Sequence, residues 1–574
     1  MKLNNIVDNY IYMAGGLLNI VSYGNQNVYL NGNPSKTFFK TTYKKYTNFG
    51  LQKFRTDFDG LRNLRMTESS NFTFRMKRYA ELLMDTYLVV TLPTIWSPIY
   101  PPQVCSDMWA PYEFKWIENV GTLMIEEIEI SVGGQILNRY TGQYLQALIE
   151  RDFTLSKRDL YEEMTGHTKE LYDPGNTNGK VNAYPNAYYT DNPVGPEPSI
   201  RGRKIYVPLN TWFTLAAKMA FPLVSLQYNE LEINVRIRPV NELYVIRDIT
   251  DQTNMFPYIK ANLNNSLQGF YRFLQPPPDI SLNGLSGPGA SYVDRRTDWN
   301  ADVHLLSTYA FLSEEESKLF AAREQRYLFK SIYQWNYYNV TGTHKVKLDN
   351  TMGMVASWTW TFNRNDVNLR NEWSNYSNWA YNSTLPQQAV LADASGNWSL
   401  PTCGPTASAG IGPGHDPLDG DPTGIYISGD YTPANQKDIL LNLGILLDGK
   451  YRENVMDAGV YQYVEKYRAD SGVSRNGLYS YSFALTNDPF DFQPSGAINM
   501  SRFKDIQLEF TTYQPPLDPS AQFYTICDPS GGGIIGVNKS NWMIYDYNYD
   551  LTIHEERYNI LTFVGGNCGL MYAR

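Results

Sequence analysis

Residues 123–131 read LMIEEIEIS, and residues 230–238 read ELEINVRIR. Apolar and polar side chains alternate with period two in both, the pattern of a strand with one buried and one wet face. Working outward, the same alternation predicts strands over Tyr87–Leu92, Trp358–Phe362, Tyr479–Leu485, Asp505–Thr512 and Trp542–Tyr549. Helical patterns are few and short, so a wound α/β architecture is not expected and an all-β chain is. Composition agrees: 45 Tyr and 14% aromatics favour half-buried strands and contact surfaces, while 42 Gly and 32 Pro supply turns. At 574 residues the chain exceeds one ordinary core, so at least two domains are expected.

The join between them is placed at SEEESKLFAAREQ, residues 313–325, just past the midpoint. Ser313 with Glu316 has capping-box spacing, and Glu314 and Glu315 suit the positive end of a helix dipole. A strand-like segment, Tyr327–Tyr338, follows. Two related halves are suggested by an echo. In the first half a strand meets Gly133-Gly134 and a short helix is expected over Gln143–Glu150. In the second, Ile439–Leu447 meets Gly449 and a helix is expected over Val455–Tyr467. Leu171–Gly202 and Asn363–Gln436 read as long ordered surface loops.

Chemistry finds little support. The five histidines, His167, His304, His344, His415 and His554, make no metal-ligand spacing, and no nucleophile elbow or phosphate loop is present. Asp416, Asp419 and Asp421 miss the spacing of a calcium loop and read as a solvated turn. Carboxylates are plentiful, so a glycosidase pair is not excluded by counting, but no pair stands out. The aromatic run Trp373–Tyr381 suits local or intersubunit packing better than sugar stacking. No catalytic, cofactor-binding or metal residue is therefore assigned, and the chain is expected not to be an enzyme. Cys105, Cys403, Cys527 and Cys568 are too scattered for a disulfide framework. The start, MKLNNIVDNYIYMAGG, is broken by polar residues, so no secretory leader is expected, and no apolar run is long enough to cross a bilayer. Of the Asn-x-Ser/Thr sequons, Asn375, Asn382 and Asn397 lie in the long loop and are the most reachable.

A net charge of −9 argues against direct genome binding. The charge is polarised, however. Lys36, Lys40, Lys44, Lys45, Lys53, Arg55, Arg62, Arg65, Arg75, Lys77 and Arg78 face only Asp57, Asp59 and Glu68 across that stretch.

One set of residues is specific enough to carry a resemblance. The run from Tyr23 to Pro34 (YGNQNVYLNGNP), then Thr37–Lys40 and Tyr43–Lys45, resembles the opening of major capsid proteins of nucleocytoplasmic large DNA viruses. In the same order follow Val207–Trp212 (VPLNTW), Phe221–Asn234, Leu305–Arg326, Tyr481–Leu485 (YSFAL), Gln493–Gly496 and Tyr558–Tyr572. The resemblance spans the chain and departs in the long loops. It implies a double jelly roll, two eight-stranded antiparallel β-sandwiches with short helices. The division expected is an arm over 1–26, a first jelly roll over 27–312, a connector helix over 313–326 and a second jelly roll over 327–574 carrying the surface loop 363–436. It further implies homotrimeric pseudo-hexameric capsomers that tile an icosahedral shell, assembled in the host cytoplasm. Expected partners are neighbouring capsomers, minor capsid and penton proteins, and an internal membrane met by the basic N-terminal region at the inner base. No cofactor is expected. The competing reading is a secreted carbohydrate-binding or glycoside-cleaving β-sandwich.

Overall fold

The computed structural model describes residues 15–60, 63–100, 110–180, 183–187, 195–250, 257–277, 292, 294–349, 352–382, 436–517, 523–527, 533–539 and 545–572. Met1–Asn48 forms a unit of its own, longer than the arm expected over 1–26, and Phe49–Arg574 forms the other. Within the first, a helix spans Gly15–Val21 and no described residue is buried.

The second unit is built from β1 (Phe49–Thr56), β2 (Ser70–Met76), β3 (Leu82–Thr91), β4 (Ile125–Val132), β5 (Gln135–Tyr140), β6 (Lys204–Pro208), β7 (Phe221–Pro222), β8 (Leu231–Ile237) and β9 (His304–Leu312). There follow β10 (Gln325–Tyr337), β11 (Thr343–Lys347), β12 (Met354–Arg364), β13 (Leu440–Leu447), β14 (Lys450–Asp457), β15 (Leu478–Ser482), β16 (Ile498–Asn499), β17 (Ile506–Thr512), β18 (Tyr549–Val564) and β19 (Asn567–Leu570). The helices used below are α1 (Gly142–Asp152), α2 (Leu155–Thr165), α3 (Glu314–Ala322) and α4 (Glu465–Ala469), the last preceded by a π-turn over Val460–Val464.

The sheets repeat. In the first half one sheet runs β1-β9-β3-β7 with β6 also on β3, and the facing sheet runs β2-β8-β4-β5. In the second half one runs β10-β18-β12-β15 and the other β11-β17-β13-β14. All of these pairs are antiparallel, and the strand orders match once β16, which also pairs with β12, is set against β7 and β15 against β6, so the molecule is a double jelly roll. Period two sets the register: Ile130, Ile233 and Phe74 align across β4, β8 and β2, as do Ile128, Val235 and Phe72. All six are buried. In the second half Leu443 faces Phe510 and Ile445 faces Leu508. A one-residue slip would turn every one of these side chains to water.

β12 differs, because almost the whole strand is buried on both faces. Trp358, Trp360 and Phe362 enter the second core, whereas Ser357, Thr359 and Thr361 face the other way and are buried as well.

Several expectations need correction. The capping box at Ser313 does not form: no side-chain cap bond is made there, although α3 starts at Glu314 as the spacing predicts. Val455–Asp457 belongs to strand β14, so the helix expected over Val455–Tyr467 begins later and opens as a π-turn. Pairing with β13 wins over local helix preference there. The helix over Gln143–Glu150 is longer, and the adjoining α2 was not anticipated. Of Trp542–Tyr549, residues 542–544 lie outside the described residues, and only Tyr549 belongs to a strand. The long loop is also not uniformly a surface feature. Asn363, Arg364, Asn371 and the run Ser374–Asn378 are buried. Residues 383–435, with His415, Asp416, Asp419, Asp421, Asn397 and Cys403, lie outside the described residues.

Candidate functional site: a buried ionic seam and exposed strand edges

The polar face of β12 meets α1 of the first half, and the contact is ionic. α1 starts after Thr141, whose hydroxyl accepts from the Tyr144 amide at 3.3 Å. Ten of its eleven residues are buried. At its end Arg151 lies 2.6 Å from Asp152 and 2.6 Å from Glu556 on β18. Its other amino group donates to Thr359 at 2.8 Å and Ser357 at 3.3 Å on β12. Glu556 also receives Tyr144 at 3.0 Å and Lys330 at 3.1 Å. Burial opposes its charge, but Arg151 and Lys330 outweigh burial and hold it below the usual carboxylate range. Asp152 is pushed up, chiefly by burial, against the pull of Arg151. Burial and Arg151 together lower His554 to about 4, so its ring is neutral.

A second cluster lies alongside. Arg475 reaches Glu150 at 2.7 Å and Glu118 at 3.6 Å, and donates to the Ser374 carbonyl at 3.1 Å. His167 stands 3.3 Å from Glu118 and 3.5 Å from Glu162, and Arg158 pairs with Glu162 at 2.6 Å. Burial alone would lower the His167 pKa; the two carboxylates reverse this and raise it. Burial is likewise overcome at Glu118 and Glu162, where the neighbouring His167 is the largest opposing influence, and each is held at about 2. Beside the seam, Tyr140, Tyr144, Trp212, Phe329, Lys330 and Phe492 line a cavity of about 60 Å³.

This geometry ties the two halves together. Asp152 and Glu556, two carboxylates on one guanidinium, have side chains only 0% and 2% exposed, so no glycosidic substrate reaches them. Among the described residues no group of three or more His, Cys, Asp or Glu is placed to hold a metal. His304 donates from Nδ1 to the Asp302 carbonyl at 2.6 Å, and His344 from Nε2 to the Thr341 carbonyl at 2.8 Å. Of the four described histidines, His554 sits on the seam and His167 in the cluster alongside it. Sequence reasoning missed the seam because its partners are far apart in the chain; Arg151 and Glu556 are separated by 405 positions.

The aromatic run Trp373–Tyr381 packs on the first half. Trp373 donates to the Glu242 carbonyl at 3.0 Å, Asn371 to the Tyr244 carbonyl at 2.8 Å, and Tyr381 to the Tyr258 carbonyl at 3.1 Å. Asn375 is fully buried, which removes it as a reachable sequon. The basic stretch divides as well. Arg55 pairs with Asp57 and Asp302, Arg65 with Glu68, and Arg75 with Glu232, so these cations serve the fold. Lys36, Lys40, Lys44 and Lys45 are exposed.

Among the described residues, strands at sheet ends also expose apolar side chains. β1, at the end of its sheet, exposes Phe49 and Leu51. β14, at the end of another, exposes Tyr451, Val455 and Met456, and Tyr463, Val464 and Tyr467 are exposed just beyond it.

Comparison with known proteins accounts for both halves. A family model described as major capsid protein N-terminus matches residues 37–273, and one described as large eukaryotic DNA virus major capsid protein matches residues 316–569. A major capsid protein of Phaeocystis pouchetii virus is 24% identical over 98% of this chain and 100% of its own. That of Paramecium bursaria Chlorella virus 1 is 23% identical over 98% and 100%. A quasi-atomic model of the PBCV-1 virus capsid contains a chain with the same fold, with a TM-score of 0.56 and 20% identity, covering 94% of this chain and all of that one.

Proposed function

Since the chain belongs to the major capsid protein family of large eukaryotic DNA viruses, we propose that three copies of it form one pseudo-hexagonal capsomer of the icosahedral shell. The protein is a structural component of the virion shell. The single observation that carries the capsomer reading is the repeat of sheet order in the two halves, which gives three chains six similar barrels. In this reading the first barrel, expected over 27–312, starts only at Phe49, residues 327–574 are the second barrel and 313–326 joins them. The chain is catalytically inert, a reading supported by ionisable groups that are spent on one another along the seam.

The exposed lysines at 36, 40, 44 and 45 meet anionic lipid or acidic minor capsid proteins, each suitably placed cation contributing about 1 kcal/mol near an anionic membrane. Sedimentation velocity of the purified protein tests the capsomer. A species of three chain masses is expected, and a stable monomer at assembly concentrations would overturn the proposal.

A further inference from the structure

A one-turn helix, Val367–Arg370, ends on Asn371 at φ +57°, and from there to Tyr381 the chain lies as a strap on the first half. Hydrogen bonds to backbone carbonyls fix its two ends. Asn371 and Trp373 donate to Tyr244 and Glu242, and Tyr381 donates to Tyr258. Arg238 stacks on Trp373, 4.2 Å from the ring centroid. None of these groups changes charge near neutral pH.

The middle of the strap is held differently. Ser374 donates to Glu118 at 3.1 Å, and its carbonyl receives Arg475 at 3.1 Å. Glu118 is thereby shared between the strap, Arg475 at 3.6 Å and His167 at 3.3 Å. Glu372, the strap's own carboxyl, is partly buried and faces the same Glu118. Arg370, Lys115 and Tyr381 stand around it, and the Asn382 backbone donates to it. Neither cation is given over to Glu372, because Arg370 pairs with Asp366 at 2.8 Å and Lys115 with Asp173 at 3.5 Å. Burial and the charge of Glu118 therefore push Glu372 up to about 7. Across the cluster His167 faces Glu118, Glu162 and Tyr172, with Arg158 on Glu162 and Glu150 on Arg475 completing the charges.

We propose that the strap over 371–381 is a pH-sensitive latch, closed on the first half in mild acid and loosened as the solution turns alkaline. In acid Glu372 carries a proton, so it and Glu118 together hold one negative charge. Rising pH removes that proton and sets two like charges side by side in a partly buried site. His167 acts in the same sense: as imidazolium it bridges Glu118 and Glu162, and as neutral imidazole it leaves them with a weaker partner. The folded values of Glu372 and His167 both lie above the unfolded 4.5 and 6.5. What they contribute is complete below those unfolded values and is lost as pH climbs through the folded ones. Glu118 and Glu162, held at about 2, are ionised throughout this range and do not oppose the change.

Hydrogen exchange of the intact chain, read by mass spectrometry, tests the latch. Protection of peptides covering 371–381, corrected for the intrinsic pH dependence of exchange, is expected to fall about tenfold or more between about pH 5.5 and about pH 8.5. Peptides from β8 are expected to keep theirs. Glu372→Gln retains the shape and an acceptor for the Asn382 amide but has no proton to lose, so the strap's profile flattens in that variant. His167→Gln shrinks the fall. Equal strap protection at both pH values in the wild type overturns the proposal, as does a fall of undiminished size in Glu372→Gln. Where Glu372→Gln does not fold, the wild type and His167→Gln decide: a fall matched by β8, or one that His167→Gln leaves unchanged, overturns the latch.

Discussion

Arg151 shows at the scale of one residue how the two halves are tied. It is only 2% exposed, and two carboxylates and two hydroxyls surround it. Removing one member of a buried ion group leaves the others charged and unpaired, which costs about 3–5 kcal/mol. Arg151→Leu is therefore expected to lower unfolding free energy by that amount in urea titration, and a loss below about 1 kcal/mol would contradict the account. His167 makes a second prediction. Its pKa is raised in the fold, so its contribution is complete below the unfolded value of 6.5 and is lost as pH rises through the folded value. Glu118 and Glu162 act oppositely: held at about 2 against 4.5 unfolded, they stabilise above pH 4.5 and fail as pH falls toward 2. The groups facing the cluster are Arg158, Arg475, Tyr172 and Ser374. Melting temperature should thus decline above pH 6.5 more steeply in the wild type than in His167→Gln; identical profiles would show that the imidazole does not couple to folding. None of this was legible from sequence, because an ion cluster assembled across hundreds of positions leaves no local spacing to read.

Elements were legible where one face is wet. The period-two segments Leu123–Ser131 and Glu230–Arg238 become β4 and β8 within a residue or two, since alternation records burial on one side. β12 was legible only in part, because its Ser and Thr positions looked like a solvent face and are instead the wall of the seam. Val455–Asp457 misread as helix for a related reason: β14 is exposed on both faces, so no alternation marks it. α1 illustrates the limit of propensity. Replacing Gly by Ala in a helix ordinarily helps by about 1 kcal/mol. At Gly142, though, a Cβ would stand 2.3 Å from the Thr122 carbonyl oxygen and 2.4 Å from that of Ile125, both backbone atoms. Gly142→Ala is expected to destabilise by about 1–3 kcal/mol, the usual cost of overpacking, as measured by thermal unfolding. A stabilised variant would mean that α1 can shift away from β4 and that the seam is looser than its hydrogen bonds imply.

Across the whole molecule, the sequence divides more cleanly than the packing does. A connector near residue 313 and two strand sets were readable, and they suggest halves that fold independently. The cores do not separate in that way. Phe329, Ile332, Leu561, Phe563 and Cys568, all after the connector, are buried in the first half's core cluster. Phe563 meets Phe221 at 5.1 Å between ring centroids, and Phe329 meets Trp212 at 4.6 Å. An isolated second half would bare these side chains along with Glu556, leaving apolar surface and a carboxylate that has lost Arg151 and Tyr144. Calorimetry of the intact chain should accordingly show the two barrels melting in one transition. Phe563→Ala should lower that single transition by the equivalent of about 3–5 kcal/mol, the cost of emptying a buried aromatic site. The excised segment 325–574 should fail to give a cooperative melt. Two resolved transitions, or a cooperative melt from the excised half, would mean that the shared aromatic packing and the seam contribute too little to couple the barrels. Coupling of this strength suits a shell subunit, because a load applied to one barrel by a neighbouring copy is carried into the other through buried contacts instead of through the α3 connector alone.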